Sequence, residues 1–363
     1  MPRKLGNGSP TLILEAGNKR SLLVCSMNSA ASDSNDFGVG IVGLGRYVPS
    51  KLITNEMVQS WTGIPAETIL AKTGVQCRYI AEDHESASGM SAIAAGDAMK
   101  TGGAGPDQIG IIIGCTFSGD YIYPAMACKV QALIGAKNAG AFDLMANCTG
   151  FQVGLSVAAD RMRGDRELAF SIVLGTALQS RFINWKDAES AMYFGDGAGA
   201  ALLGHVPGGY GIQSTSLFTN PSVFEAVRLR GGGSSHPLRA HNINDGLQYY
   251  EMNGLEVWKQ VIQYQPIAVR QALEKIGKTT HDVDFFIFHQ ANLRLIEYLM
   301  GKMRQPMSKT YTNVAEIGNT ADASLAIALC DAVHKGLIKR DDLVVVSGVG
   351  AGFTFGATVI RWY

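Results

Sequence analysis

Continuous apolar runs, rich in β-branched and small residues, alternate along this chain with segments of helical periodicity. FGVGIVGLGRYVP (37–49) reads as a buried strand and a turn, and IGIIIGCTF (109–117), GAFDLM (140–145), ELAFSIVLGTAL (167–178) and GAGAALLG (197–204) read as further strands. MSAIAAGDAMKTGG (90–103) falls between them as a helix stopped by Gly102 and Gly103. In the second half GIQSTSLF (211–218), VDFFIFHQ (283–290), DLVVVSGV (342–349) and FGATVIRWY (355–363) repeat the strand pattern. EVWKQVIQYQPIAVRQALEKIG (256–277) predicts a long helix interrupted at Pro266. Apolar strands separated by helices predict an α/β fold with sheet covered on both faces.

Two echoes suggest that the halves are related: IGIIIGCTF resembles DFFIFHQ, and LAFSIVLG resembles LVVVSGVG. The stretch 206–250 differs, with GGGSSHP (231–237) and HNINDG (241–246), and reads as a long loop between the halves. Order is expected to begin at Phe37, after a disordered extension over 1–36. The apolar bits TLIL and LLVC in that extension are too short for a signal peptide, Glu15 interrupts them, and Met27 is a second candidate start.

Composition narrows the field. Hydrophobic residues make up 47% and charged residues 17%, enough to bury a large core. Lys plus Arg equals Asp plus Glu at 31 each, so no global field favours nucleic acid or an anionic membrane. No run of 18 apolar residues predicts a membrane span. The cysteines at 25, 77, 115, 128, 148 and 330 form no CxxC pair and no ligand spacing with histidine, which argues against zinc and disulfides and for a reducing compartment.

Three residues attract chemistry. Cys148 sits in FDLMANCTGFQVGLSVAADRM, an apolar strand-like run followed at once by a helix pattern. That places it near a helix N-terminus, where unpaired N–H groups favour a thiolate with a pKa of about 3.5–7.5; a small buried core cysteine fits the segment equally well. His289 ends a strand before a helix pattern, where α/β folds place functional groups, though a structural histidine is the commoner occupant. Asn319 lies in EIGNTADASLAIALCDAV, where a turn or N-cap asparagine is the default. VGLGRYV (42–48) lacks the third glycine of a dinucleotide site. GDGAGAALL (195–203) and SGVGAGFTFG (347–356) read as turns where backbones nearly touch, and an exposed N–H near Ala351 could serve an oxyanion hole.

NCTGF, FGDGAGAALL, HQANLR, GNTADAS and GAGFTFGATVIRW, in this order and spacing, make the chain resemble the β-ketoacyl-ACP synthase III family of the thiolase superfamily from about Val39 to Tyr363. The resemblance implies a five-layer αβαβα fold of two duplicated halves, here 37–205 and 206–363, and a cytoplasmic homodimer. It implies an acyltransferase without cofactor, with Cys148, His289 and Asn319 as catalytic residues. Cys148 would take an acyl group from an acyl-CoA or acyl-ACP thioester, with the N–H groups of Cys148 and Ala351 holding the carbonyl oxygen. Decarboxylation of malonyl-ACP would then give a carbanion that attacks the acyl-cysteine to yield a 3-oxoacyl product, as in fatty-acid or polyketide biosynthesis. Asn319 in place of an acidic residue or second cysteine speaks for decarboxylative condensation. By the same resemblance Arg181, Asn292 and Tyr123 contact substrate, Tyr123 by reaching into the partner subunit's acyl pocket. Lys259, Arg294 and Lys302 would dock the acidic carrier protein, although a solvated face explains those positions as well.

One departure matters. Where family members carry EWIVTRTGI, with a Trp and an Arg clamping adenine, this chain has ETILAKTGV, with Thr68 and Lys72. Losing the indole removes stacking of about 1–3 kcal/mol. A carrier-bound or unusual acyl donor, and a specialised pathway, are therefore expected. A papain-like hydrolase also uses Cys, His and Asn, but its cysteine lies near the N-terminus in a C-G-x-C-W setting absent here. A non-catalytic chain-length subunit would lack the nucleophile. Within the family, joining two acyl chains or acylating an alcohol or amine is the alternative.

Overall fold

The computed structural model describes residues 37–363, so the expected disordered extension over 1–36 lies outside the described residues. The apolar runs form two mixed sheets. The first has the order Phe37–Tyr47, Gly197–Pro207, Phe170–Ala177, Ile109–Cys115, Gly140–Leu144. Its last three strands are parallel and its first three antiparallel. The second sheet runs Gly211–Thr219, Thr354–Arg361, Leu343–Gly350, Phe285–Phe288, antiparallel until its final parallel pair. Strand for strand, the second sheet repeats the first four of the other in the same order and sense. The two echoes in the sequence fall on strands at matching positions, and Gly140–Leu144 is the extra fifth strand.

Alternation along each strand divides the side chains between layers. Val344 and Val346 face the middle of the molecule with Val173, Leu155 and Leu329, whereas Leu343 and Val345 face an outer layer. Each such side chain, fully buried, contributes about 1.5–3 kcal/mol. Helices Gly150–Gly164 and Ser324–His334 fill the space between the sheets. SLAIALCDAVH is apolar nearly all round, which suits only a position enclosed on every side. Helices Ala87–Gly102 and Met126–Ile134 cover the outside of the first sheet, and Gly254–Glu274 and Leu293–Lys302 cover the second. The result is the five-layer αβαβα thiolase-like fold.

Two expectations need correction. Gly254–Glu274 is one helix through Pro266. The proline costs a backbone hydrogen bond, but Val261, Ala268, Val269, Ala272 and Leu273 on both sides of it are buried against the second sheet and hold the helix together. The supposed loop 206–250 contains Gly211–Thr219, the strand expected at 211–218, and also Val227–Leu229, which leaves a shorter irregular stretch before Tyr250–Met252. A small sheet of Lys51–Thr54 with Cys77–Ile80, enclosing the helices Asn55–Thr62 and Ala66–Thr73, was not anticipated.

Close packing of Ala87–Gly102 on the first sheet requires a glycine at 45, where a Cβ would overlap the Ala94 carbonyl oxygen. Gly45→Ala should therefore lose about 1–3 kcal/mol in equilibrium urea unfolding. Gly96→Ala, in the interior of that helix with open space around the site, should gain about 0.5–1 kcal/mol. Equal effects of the two substitutions would contradict this packing.

Candidate active site

The two middle-layer helices begin at the same place. Cys148 lies in the single-turn helix Asn147–Thr149, which runs straight into Gly150–Gly164. Asn319 lies just ahead of the turn Ala321–Ala323 that leads into Ser324–His334. His289 follows the strand Phe285–Phe288, and Ala351 follows Leu343–Gly350. The topology thus delivers Cys148, His289, Asn319 and Ala351 to one cavity of about 910 Å³, which Asn292 also lines.

Hydrogen bonds fix which groups face that cavity. His289 is buried, its backbone N–H donates to the Ser347 carbonyl, and its Nδ1 lies 2.5 Å from Ser324 Oγ. That hydroxyl also accepts the Gln290 backbone N–H, and with its own proton donated to Nδ1 the uncharged His289 presents Nε2–H to the cavity. Asn319 Oδ1 accepts the Ala321 N–H at 2.9 Å, which orients the amide NH₂ as the free group. Asn147 Nδ2 donates to the Ala351 carbonyl at 3.0 Å, tying the turn that carries Cys148 to the loop after Leu343–Gly350. Gly350 allows that approach, since a Cβ there would overlap the Ala146 carbonyl oxygen. Among the described residues, the N–H groups of Cys148 and Ala351 have no hydrogen-bond acceptor in another residue. Four donors of neutral groups therefore border one space.

Burial sets the protonation states. The His289 imidazole is pushed down to about 3, so it is uncharged at neutral pH. The expected lowering of the Cys148 thiol is reversed. Burial, reinforced by the neighbouring Asp322 carboxyl, drives it well above the usual thiol range, and its own N–H offsets only part of that. Asp322 itself, absent from the sequence-based candidates, is wholly buried in the cavity wall with no partner for either oxygen. Burial pushes its carboxyl up to about 8. The one signal for it in the sequence was an acidic residue inside the otherwise small and apolar run ADASLAIAL.

The remaining candidates, apart from Asn292 at the cavity wall, lie elsewhere. Asn292 caps helix Leu293–Lys302 through Oδ1 and donates to the Lys72 carbonyl, so helix Ala66–Thr73 is pinned beside the cavity. Arg294 adds a bond to the Ala71 carbonyl. Arg181 is exposed and donates to the carbonyls of Glu82 and Glu85 rather than lining the cavity. Tyr123 is 85% exposed and lines no part of its own chain's cavity, whereas its neighbours Tyr121 and Ile122 do. Of the basic residues, Lys259 pairs with Glu256 and Arg294 with Glu297, while Lys302 is exposed. Trp258, Phe117, Phe194 and Tyr250, also missed in the sequence, give the cavity its aromatic walls.

Comparison with known proteins places the chain in a family. The family described as 3-Oxoacyl-[acyl-carrier-protein (ACP)] synthase III matches residues 142–221, and its C-terminal domain matches residues 273–362. A β-ketoacyl-[acyl-carrier-protein] synthase III of Caldanaerobacter subterraneus subsp. tengcongensis is 36% identical over 323 residues, covering 89% of this chain and 97% of that protein. The chain belongs to the 3-oxoacyl-[acyl-carrier-protein] synthase III family. Among solved structures, the synthase III of Aquifex aeolicus VF5 superposes with a TM-score of 0.82 at 32% identity, over 90% of this chain and all of that one. The priming β-ketosynthase of the R1128 polyketide biosynthetic pathway gives 0.83 at 28% identity, over 90% and 97%. The synthase III family is one of acyl-transferring condensing enzymes, and this chain is an acyltransferase of that kind. Among the described residues, no helix is long and apolar enough to cross a membrane.

The depressed His289 pKa has a consequence for stability. The unfolded imidazole takes up a proton near 6.5, whereas the folded one resists until about 3. Acidification between those values therefore favours the unfolded state, by about 1.4 kcal/mol for each pH unit. Wild-type stability should fall across that window more steeply than that of His289→Gln, measured by urea unfolding at several pH values. Parallel pH dependences would contradict a neutral buried imidazole.

Proposed function

We propose that this protein is a 3-oxoacyl-ACP synthase that carries an acyl group on Cys148 and condenses it with malonyl-ACP. The observation that carries the reading is the convergence of one thiol with four uncharged donors in a single cavity. In the first stage Sγ bonds to the thioester carbonyl carbon, the N–H groups of Cys148 and Ala351 receive the oxyanion, and the C–S bond to the donor breaks with a proton passing to the departing thiol. In the second, the bond to the malonyl carboxylate breaks and its electron pair enters an enolate, whose oxygen accepts from His289 Nε2–H and the Asn319 amide. Carbon dioxide leaves, the enolate carbon attacks the acyl-cysteine, the C–S bond breaks, and the Cys148 thiolate takes a proton from solvent in place of the one that left with the donor thiol. Donors held in place before charge develops need no reorganisation, which is where their catalytic effect arises. The steps as written require no metal or cofactor.

Malonyl-ACP and the acyl donor approach past helix Ala66–Thr73. In our reading the donor is carrier-bound or carries an unusual chain, because Thr68 and Lys72 offer no indole face for adenine. The likeness to a polyketide priming ketosynthase favours a specialised pathway. Lys302 is the best placed of the three docking residues, since Lys259 and Arg294 are already paired. A homodimer is supported by the exposed edge strand Gly140–Leu144 and by Ile122 and Tyr123, which are 89% and 85% exposed. The partner's copy of that loop would close the acyl pocket. Asn292 and Arg181 position the mouth in this scheme through their bonds to backbone carbonyls.

Carbon dioxide release from labelled malonyl-ACP tests the assignment. Asn319→Ala and His289→Ala should each lower it by about 10²–10³ fold while acyl-cysteine formation persists. Product that forms without malonyl-ACP and without carbon dioxide would instead establish the joining of two acyl chains or transfer to an alcohol or amine.

A further inference from the structure

The duplication that relates the two halves gives the nucleophile a counterpart. Cys148 is the middle residue of the turn Asn147–Thr149, which leads directly into Gly150–Gly164. Asp322 is the middle residue of the turn Ala321–Ala323, which leads directly into Ser324–His334. Each turn opens with a non-glycine residue at positive φ, 50° for Asn147 and 38° for Ala321. The turns pack on each other, so two helix N-termini bring two acids, a thiol and a carboxyl, into one buried volume.

Nothing there balances a second charge. Both Asp322 oxygens are buried without partners, and Oδ1 lies beside Gly150, only 3.3 Å from where a Cβ would stand. The titratable groups near it are Cys148 on the opposite turn, Cys115 ending Ile109–Cys115, Tyr250 of Tyr250–Met252, and the uncharged His289. Strand Phe170–Ala177 brings no ionisable side chain, and Gly197–Pro207 brings only His205 at its exposed end. Helix Gly150–Gly164 carries Asp160, Arg161 and Arg163 in its last turns, and Ser324–His334 carries Cys330, Asp331 and His334 in its second half. Helix N-termini supply partial positive charge, about half an elementary charge each, which can hold one anion more readily than two.

We propose that Asp322 governs the nucleophile: Cys148 forms its thiolate only while Asp322 keeps its proton. The inference rests on Cys148 as the acyl acceptor. It makes Asp322 a positioning residue that acts through its field at Sγ and touches no substrate atom. When the carboxyl loses its proton to solvent at alkaline pH, the thiolate becomes the second anion in the pocket and is suppressed. Ordinary thiols gain reactivity as pH rises. Cys148 is expected to stop gaining it from about pH 8, where the carboxyl titrates, until the pH is high enough to force a second anion into the pocket.

Alkylation of Cys148 by iodoacetamide in the full-length protein, followed by peptide mass mapping across that pH, reads the thiolate directly. Wild-type reactivity should level off above about pH 8. Asp322→Asn, which keeps the shape and removes the charge, should keep rising and exceed wild type on the order of tenfold at the alkaline end. Its thermal midpoint should also exceed wild type most at alkaline pH, because it removes an unpartnered buried charge. Superposed profiles, or a variant slower at every pH, would overturn the proposal. A steadily climbing wild-type profile would do so even if the variant failed to fold. The alkylation readout does not depend on turnover. Activity surviving in Cys148→Ala would thus sink the acyl-cysteine mechanism alone, and superposed profiles would sink the role of Asp322 alone.

Discussion

Two buried helices that start at one point are the constraint on which this molecule depends. Gly150–Gly164 and Ser324–His334 are enclosed between the sheets, so their N-terminal turns have nowhere to project except into the same cavity. Every polar link at the site holds that junction. Asn147 ties one turn to the loop carrying Ala351, Ser324 at the head of the second helix holds the His289 ring, and Ala321 in the second turn holds the Asn319 amide. Helix N-termini leave N–H groups unpaired. Here they border the space where negative charge develops during acyl transfer.

The site works without fixed charge. His289 stays neutral because burial denies it a proton, and burial raises Cys148 and Asp322 so that both rest protonated at neutral pH. A neutral low-dielectric pocket strengthens each donor toward an oxyanion or enolate without stabilising a permanent ion in its place. The resting thiol therefore cannot rely on a depressed pKa. Its reactivity comes from the donors that meet the substrate and from the state of the carboxyl behind it.

Much of this was legible along the chain, for identifiable reasons. The sheet strands announce themselves because layers buried on both faces demand uninterrupted β-branched and small residues. Cys148, His289 and Asn319 stood out only jointly, through the spacing of NCTGF, HQANLR and GNTADAS. Other features depend on tertiary contact and could not be read locally. Pro266 looked like a helix breaker until packing on both sides kept the helix whole. A cysteine before a helix suggested a thiolate, yet the helix end is enclosed and shares its pocket with Asp322, so desolvation outweighs the dipole. The tautomer of His289 depends on Ser324, 35 residues away. Tyr123 stands 85% exposed and away from its own chain's cavity, which no local pattern announces.

Intact-protein and peptide mass spectrometry after incubation with a panel of acyl-CoA and acyl-ACP thioesters tests the central claim most directly. The account predicts an added acyl mass confined to the Cys148 peptide and absent from Cys148→Ala. Acyl mass on another residue, or 3-oxoacyl product made by Cys148→Ala at the wild-type rate, would contradict it.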